Sequence, residues 1–229
     1  MRVSYNKSLK VQVPKSVVVF HMFDEWKNKE LHQKKMFITD GVIDNDFWSK
    51  SNYKIMFLLK EAYDSKKSEG TWDLPNLIRK RGVSGRTFKP MAQWAYGIEK
   101  VIQNREISPY IQNNEYVKNA LLSSAVVNLK KSGGKSKSGS KNLLEYVNED
   151  WDLIYKQISN IAPKIIVCGN TWSLIKDKLI HKKVSDCAFL SDGVLYIDYW
   201  HPSNRAANLM NYYSLCAIVQ LAFKVIDSE

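Results

Sequence analysis

The apolar positions of this chain follow two alternating rhythms. Four short stretches are continuously apolar or rich in β-branched and aromatic residues: 55–59 (IMFLL), 124–129 (SAVVNL), 165–167 (within KIIVCG) and 194–200 (VLYIDYW). Their shortness and lack of a polar face predict strands, most of them covered on both sides. Between them the apolar residues recur at helical spacing. Over 91–104, Met91, Trp94, Ala95, Ile98, Val101 and Ile102 share one stripe. Over 143–161, Leu144, Val147, Trp151, Ile154, Ile158 and Ile161 do the same. A third helix is predicted over 172–180, after a Gly-Asn-Thr turn in which Asn170 or Thr171 caps it, and a long fourth one over 206–226.

Strand and helix therefore alternate four times. That order predicts an α/β single domain, 1–229, with a central, mostly parallel four-stranded sheet and helices on both faces. About fifty N-terminal residues form an extension that the pattern does not place. There is no internal repeat and no long linker. In sheets of this kind, ligands bind at the carboxyl ends of the strands. The residues there are Lys60-Glu61-Ala62-Tyr63-Asp64, Asn128-Leu129-Lys130-Lys131, Cys168-Gly169-Asn170 and His201-Pro202-Ser203-Asn204-Arg205. A carboxylate, an amide and an imidazole on one rim suit base recognition and proton or water management. Each has a plainer reading as well. Glu61 fits the start of a helix, Asn128 a strand end, and His201 a turn before Pro202.

Charge narrows the partner. The chain has 34 Lys and Arg against 23 Asp and Glu, a formal net charge of +11. Such an excess repels itself in a compact domain and points to a polyanion, nucleic acid first and an anionic membrane surface second. A solvated lysine-rich surface is the plainer account. The segment 130–141, KKSGGKSKSGSK, holds only Lys, Ser and Gly. It lacks anything to bury and is expected to be a mobile surface loop. Cys168, Cys187 and Cys216 are dispersed, as are the four histidines, so no metal or other cofactor is expected. The polar N-terminus and odd cysteine count fit a reducing cytoplasm. No apolar run approaches the roughly 18 residues that span a bilayer, so a membrane partner is not expected. The P-loop and the G-x-G-x-x-G patterns are both missing.

The four rim segments together resemble the uracil-DNA glycosylase superfamily. IMFLL-KEAYD is similar to an apolar strand running into G-E-A-P-G. SAVVNLKK is similar to the strand whose Asn reads the base edge. PKIIVCGNTW is similar to the strand and helix that follow P-x-x-hydrophobic-x-x-G, and YWHPSNR to the strand ending in H-P-S. The matches come in the family's order and span about residues 54 to 220. Lys60, Tyr63 and Asp64 depart from it, replacing Gly, Pro and Gly. Two glycines let backbone approach a nucleotide, so their loss implies a reshaped pocket. Three dispersed cysteines cannot hold the iron–sulfur cluster of the Glu-containing branch.

The resemblance implies a DNA glycosylase that flips a uracil-like or modified base from the stack and hydrolyses its N-glycosidic bond. It implies that His201 hydrogen-bonds the leaving base and that Asn128 reads its Watson–Crick edge. Glu61, with Asp64 in reserve, positions water and favours the positive sugar. Phe88 stacks on the base, with Tyr63 and Trp72 as rivals. Lys130, Lys131, Lys135, Lys137 and Lys141 follow the DNA backbone, and Ser203, Asn204 and Arg205 form the loop that enters the duplex. DNA, double- or single-stranded, is the expected partner of a monomer. A non-catalytic protein of the same fold, binding a modified base or DNA end, is the alternative.

Overall fold

A computed structural model of the chain describes residues 22–64, 69–134 and 139–228. Among the described residues, nine strands form one sheet: β1 (Met36–Thr39), β2 (Gly41–Val42), β3 (Ile55–Tyr63), β4 (Gly70–Asp73), β5 (Ala125–Gly134), β6 (Ile165–Gly169), β7 (Lys182–Ser185), β8 (Ala188–Ser191) and β9 (Val194–Tyr199). The order is β4-β1-β5-β3-β6-β9-β8-β7, and β2 pairs with β5. Residues 22–27 are helical, and the helices that follow are α1 (Asn45–Lys50), α2 (Leu74–Arg81), α3 (Gly85–Asn104), α4 (Glu115–Leu122), α5 (Ser140–Ile161), α6 (Trp172–Ile175) and α7 (Asn208–Ile226).

The four strands expected from sequence are β3, β5, β6 and β9. They lie side by side as β5-β3-β6-β9, all parallel. The expectation of a mostly parallel, four-stranded sheet is nevertheless too small. Antiparallel β8 and β7 extend one edge. On the other edge β1 and β2 pair antiparallel with β5, and β4 continues parallel from β1. The sheet is therefore mixed. The added strands have at most four residues each, and those at the rim, β4 and β7, are largely exposed, so they show no continuous apolar run. Part of the N-terminal extension also belongs to the domain. Met22 and Trp26 are buried, and β1 and β2 are sheet strands.

Successive residues of the central strands feed opposite layers, as the pleat requires. Ile55, Phe57, Leu59, Val126, Val167 and Ile197 pack toward α3, α4 and α7. Met56, Leu58, Val127, Leu129, Ile166 and Cys168 pack toward α5, α6 and Trp26. Helix α7 has 19 residues with a mean hydropathy of 1.4, long and apolar enough by composition to cross a bilayer. The expectation that no stretch approaches that length is thus corrected. Here α7 is a wall of the core, burying Tyr212, Leu215, Cys216, Val219 and Ala222.

Gly97 marks the tightest point between α3 and α7. A Cβ there would lie 2.5 Å from both Cys216 Sγ and the Tyr212 ring. Gly97→Ala is therefore expected to force the two helices apart at a cost of about 1–3 kcal/mol. A melting curve measures this; an unchanged midpoint would mean that the crossing tolerates a methyl group.

Candidate functional site

A cleft of about 1250 Å³ opens at the carboxyl ends of β3, β5, β6 and β9. One wall comes from the strand ends: Leu59 to Tyr63, Asn128, Asn170, His201, Ser203 and Asn204. The other comes from Trp72, the first part of α2 and its last two residues, and Thr87 and Phe88 at the start of α3. Asp73 starts α2 by accepting the Asn76 N–H at 2.6 Å, with Pro in the first turn. Gly82 and Gly85, at φ 61° and 68°, then make the reversal into α3. Glu61, Asn128, His201, Phe88, Tyr63, Ser203 and Asn204 thus line one cleft, as does Trp72. Asp64, Arg205 and Lys141 do not line it. Lys135 and Lys137 lie outside the described residues.

His201 follows β9 in a turn that binds itself tightly. Asn204 donates from both its backbone N and its Nδ2 to the His201 carbonyl at 2.9 Å. Its Oδ1 accepts from the Ala206 N–H at 2.8 Å and from Asn211 Nδ2 at 3.0 Å. Asn204 therefore shapes the loop, and the amide that the sequence suggested for DNA is committed to it. The Ser203 backbone N–H donates to His201 Nδ1 at 3.2 Å, and the Ser203 hydroxyl lies 2.8 Å from the same nitrogen. A ring nitrogen that accepts carries no proton, so the proton of the neutral ring sits on Nε2. Burial, aided by the nearby Lys60 ammonium, pulls the His201 pKa down to about 4. At neutral pH the ring is an uncharged Nε2–H donor.

Asn128 is only 2% exposed. Its backbone N–H donates to Asp40 Oδ2 at 2.7 Å, and its Nδ2 reaches the same oxygen at 3.2 Å. Lys131 donates to the other Asp40 oxygen at 2.6 Å and to the Asn128 carbonyl at 2.9 Å. Gln157 Nε2 adds a bond to that oxygen at 2.9 Å. Asp40, Lys131 and Gln157 thus form a buried polar platform under the cleft. Sequence reasoning missed Asp40 because it follows a four-residue strand in the unplaced extension. Its one visible signal is the Thr-Asp-Gly turn after MFIT.

Two expectations about the Lys-Ser-Gly segment are corrected. Residues 130–134 are part of β5 and are not a loop. Lys131 is fully buried on Asp40, and Lys130 is 8% exposed and paired with Glu61 at 2.8 Å. Neither can reach a DNA backbone. The composition argument failed because buried carboxylates neutralise both ammonium groups, which lets a polar sequence extend a central strand. Lys130 also donates to Asn142 at 3.2 Å and lies over the Tyr146 ring at 4.8 Å.

Gly133 and Gly134 follow at the end of β5. A Cβ on Gly134 would overlap the Glu61 carboxyl, and one on Gly133 would lie 2.7 Å from Asp64 Cβ. These two glycines thus leave room for the Glu61 and Asp64 side chains of the neighbouring strand end. Asn170 adopts the left-handed conformation at φ 56° and donates its N–H to the Tyr199 carbonyl at 2.7 Å, joining the ends of β6 and β9.

A second constellation lies apart from the cleft. His32 Nδ1 is 2.7 Å from Ser132 Oγ, and its Nε2 is 2.8 Å from Asp150 Oδ2. The residue types match a nucleophilic triad. All three are at most 1% exposed, and they do not line the cleft. Buried in this way, the three form a clamp that ties residues 22–32 to β5 and α5. Burial works to raise the Asp150 pKa. The bond from His32 and the charge of Lys29 outweigh it, so the carboxyl lies below its ordinary range. Among the described residues, no three His, Cys, Asp or Glu side chains gather as for a metal ion. The chain matches no protein-family model and no curated protein sequence.

Proposed function

We propose that this protein is a DNA glycosylase of the uracil-DNA glycosylase type, which takes a flipped-out base into the cleft and hydrolyses its bond to the sugar. One observation carries the reading. A neutral imidazole held as an Nε2–H donor and a nearly buried Asn128 amide line the same cleft at the ends of parallel strands. That pair suits a leaving base: the amide reads its edge, and the imidazole donates to a carbonyl oxygen as negative charge grows there. Water adds to the anomeric carbon, the C–N bond electrons leave with the base, and the water proton ends on base or solvent. Phe88 and Tyr63 supply aromatic faces for stacking. Glu61, held in place by Lys130 on the strand-end wall of the cleft, is the carboxylate assigned to the sugar's positive charge.

The Glu61–Lys130 pair also favours a second reading. A carboxylate already balanced by an ammonium is weaker as a water-positioning group. A protein that binds the base without cutting would need no more than Asn128, His201 and an aromatic wall. The two readings separate on one measurement. DNA strands carrying uracil, hypoxanthine or bulky modified pyrimidines are incubated with the protein and tested for abasic sites. Abasic sites with any of them support the glycosylase. Tight, base-dependent binding without abasic sites supports the binder.

DNA contact must come from cations other than Lys130 and Lys131. Lys80 and Arg81 line the mouth of the cleft and are exposed, and Lys141 is exposed in the first turn of α5. Each phosphate contact contributes about 0.9 to the slope of log affinity against log salt on duplex DNA. The double variant Lys80→Ala/Arg81→Ala is therefore expected to flatten that slope by about 2. An unchanged slope would remove this rim from the interface.

A further inference from the structure

The platform under the cleft has a feature that reaches into its chemistry. An Asp carboxylate only accepts hydrogen bonds, and each oxygen of Asp40 is matched to donors. One takes the Asn128 N–H and Nδ2, and the other takes Lys131 Nζ and Gln157 Nε2. The Asn128 amide can rotate by half a turn at no cost in shape, which would exchange Oδ1 and Nδ2. Against Asp40 that exchange would place oxygen on oxygen. Among the described residues none donates to Asn128 Oδ1, which is not enclosed, and Asn128 lines the cleft. The amide therefore keeps its nitrogen on Asp40 and leaves its oxygen to the cleft.

We propose that Asp40 is a positioning residue: it locks the Asn128 amide in one orientation, so that the cleft offers a ligand an acceptor where an unlocked amide would offer either acceptor or donor. Lys131, buried and bonded to both Asp40 and the Asn128 carbonyl, fixes the carboxylate in its place. This rests on the reading of the cleft as a base pocket. A ring nitrogen that carries hydrogen is then bound, and one that carries a lone pair is rejected, because an acceptor facing an acceptor leaves both unpaired.

Asp40→Asn tests the lock with almost no change in shape. The new side chain has a donor face. Its oxygen stays with the Lys131 ammonium, so its NH₂ faces Asn128, gives up the bond from the Asn128 N–H and draws Oδ1 away from the cleft. The probes are short single-stranded oligonucleotides with one central deoxyuridine or deoxycytidine, whose ring nitrogens at the same position differ in carrying hydrogen. Binding is read by fluorescence anisotropy on the full chain. The wild type is expected to prefer deoxyuridine by about tenfold, the worth of one hydrogen bond. In Asp40→Asn the preference should fall to within about twofold or reverse. Asp40→Ala/Lys131→Met removes both buried charges together with the acceptor for Asn128 Nδ2, which guards against a loss that merely reports an unpaired ion, and should show the same loss while the melting curve stays cooperative. If a folded variant keeps the full preference, Asp40 does not position the amide and the proposal is overturned, while the base-pocket reading stands. If the wild type itself shows no preference, Asn128 does not read the pyrimidine edge, and that part of the base-pocket reading falls and takes the proposal with it.

Discussion

Replacing His201 with Ala is expected to slow single-turnover base excision by about 10² to 10³, the usual cost of losing one donor to developing negative charge. DNA affinity should change little, since most of it comes from phosphate contacts. Protein stability should also change little, because Asn204 binds the His201 backbone carbonyl, which alanine keeps. The pH dependence gives a second handle. Unfolded, the imidazole titrates near 6.5; folded, burial and Lys60 bring it to about 4. The catalytic donor is the neutral ring, so excision should show no step assignable to His201 between about pH 5 and 8. Stability follows the same shift. Between the two values the unfolded chain binds the extra proton, so the contribution of His201 is complete above 6.5 and is lost as pH falls toward 4. Lys60→Met removes the nearby positive charge and should raise the His201 pKa, visible in an NMR titration of the ring. A wild-type ring titrating near its ordinary value would sink the neutral-donor assignment, and wild-type excision by His201→Ala would shift weight to the non-catalytic binder.

The readable and unreadable parts of this chain divide along a physical line. Strands β3, β5, β6 and β9 are apolar because both faces are covered, and such runs stand out from their neighbours. Placing residues at their carboxyl ends needs only the rule that parallel α/β sheets gather sites there. Glu61, Asn128 and His201 all reach the cleft on that argument. What escaped is whatever depends on pairing across the chain. Asp40 is 88 residues from Asn128, and nothing local to either marks them as partners. Lys130 and Lys131 look solvated until Glu61 and Asp40 are set beside them. Asn204 reads as a loop residue open to DNA until Asn211, one turn into α7, is found bonded to it. Strand β7, at the sheet edge, is short and exposed enough to hide its alternation, and β8 beside it has only four residues.

The largest effect on stability is expected from a lysine that composition alone would place on the surface. Lys131→Ala should destabilise the protein by about 3–5 kcal/mol, a fall of roughly 10 °C in Tm for a chain of this size. The loss has two parts. Lys131 is fully buried, with its Nζ over the Trp26 ring at 4.6 Å, so truncation leaves a cavity in a packed layer. It also leaves Asp40 charged and buried without its ion-pair partner. The second part is the larger, and a double variant isolates it. Asp40→Asn/Lys131→Met removes both charges, fills the volume with an unbranched apolar chain and should recover most of the loss, since a buried ion pair often contributes little net stability over an apolar replacement. Lys141→Ala serves as the contrast: exposed in the first turn of α5, it should move stability by no more than about 0.5 kcal/mol. Urea melts of the three variants measure the differences directly. If Lys131→Ala melts like the wild type, the ammonium is solvated, β5 ends before it, and its place is with the DNA-facing lysines after all.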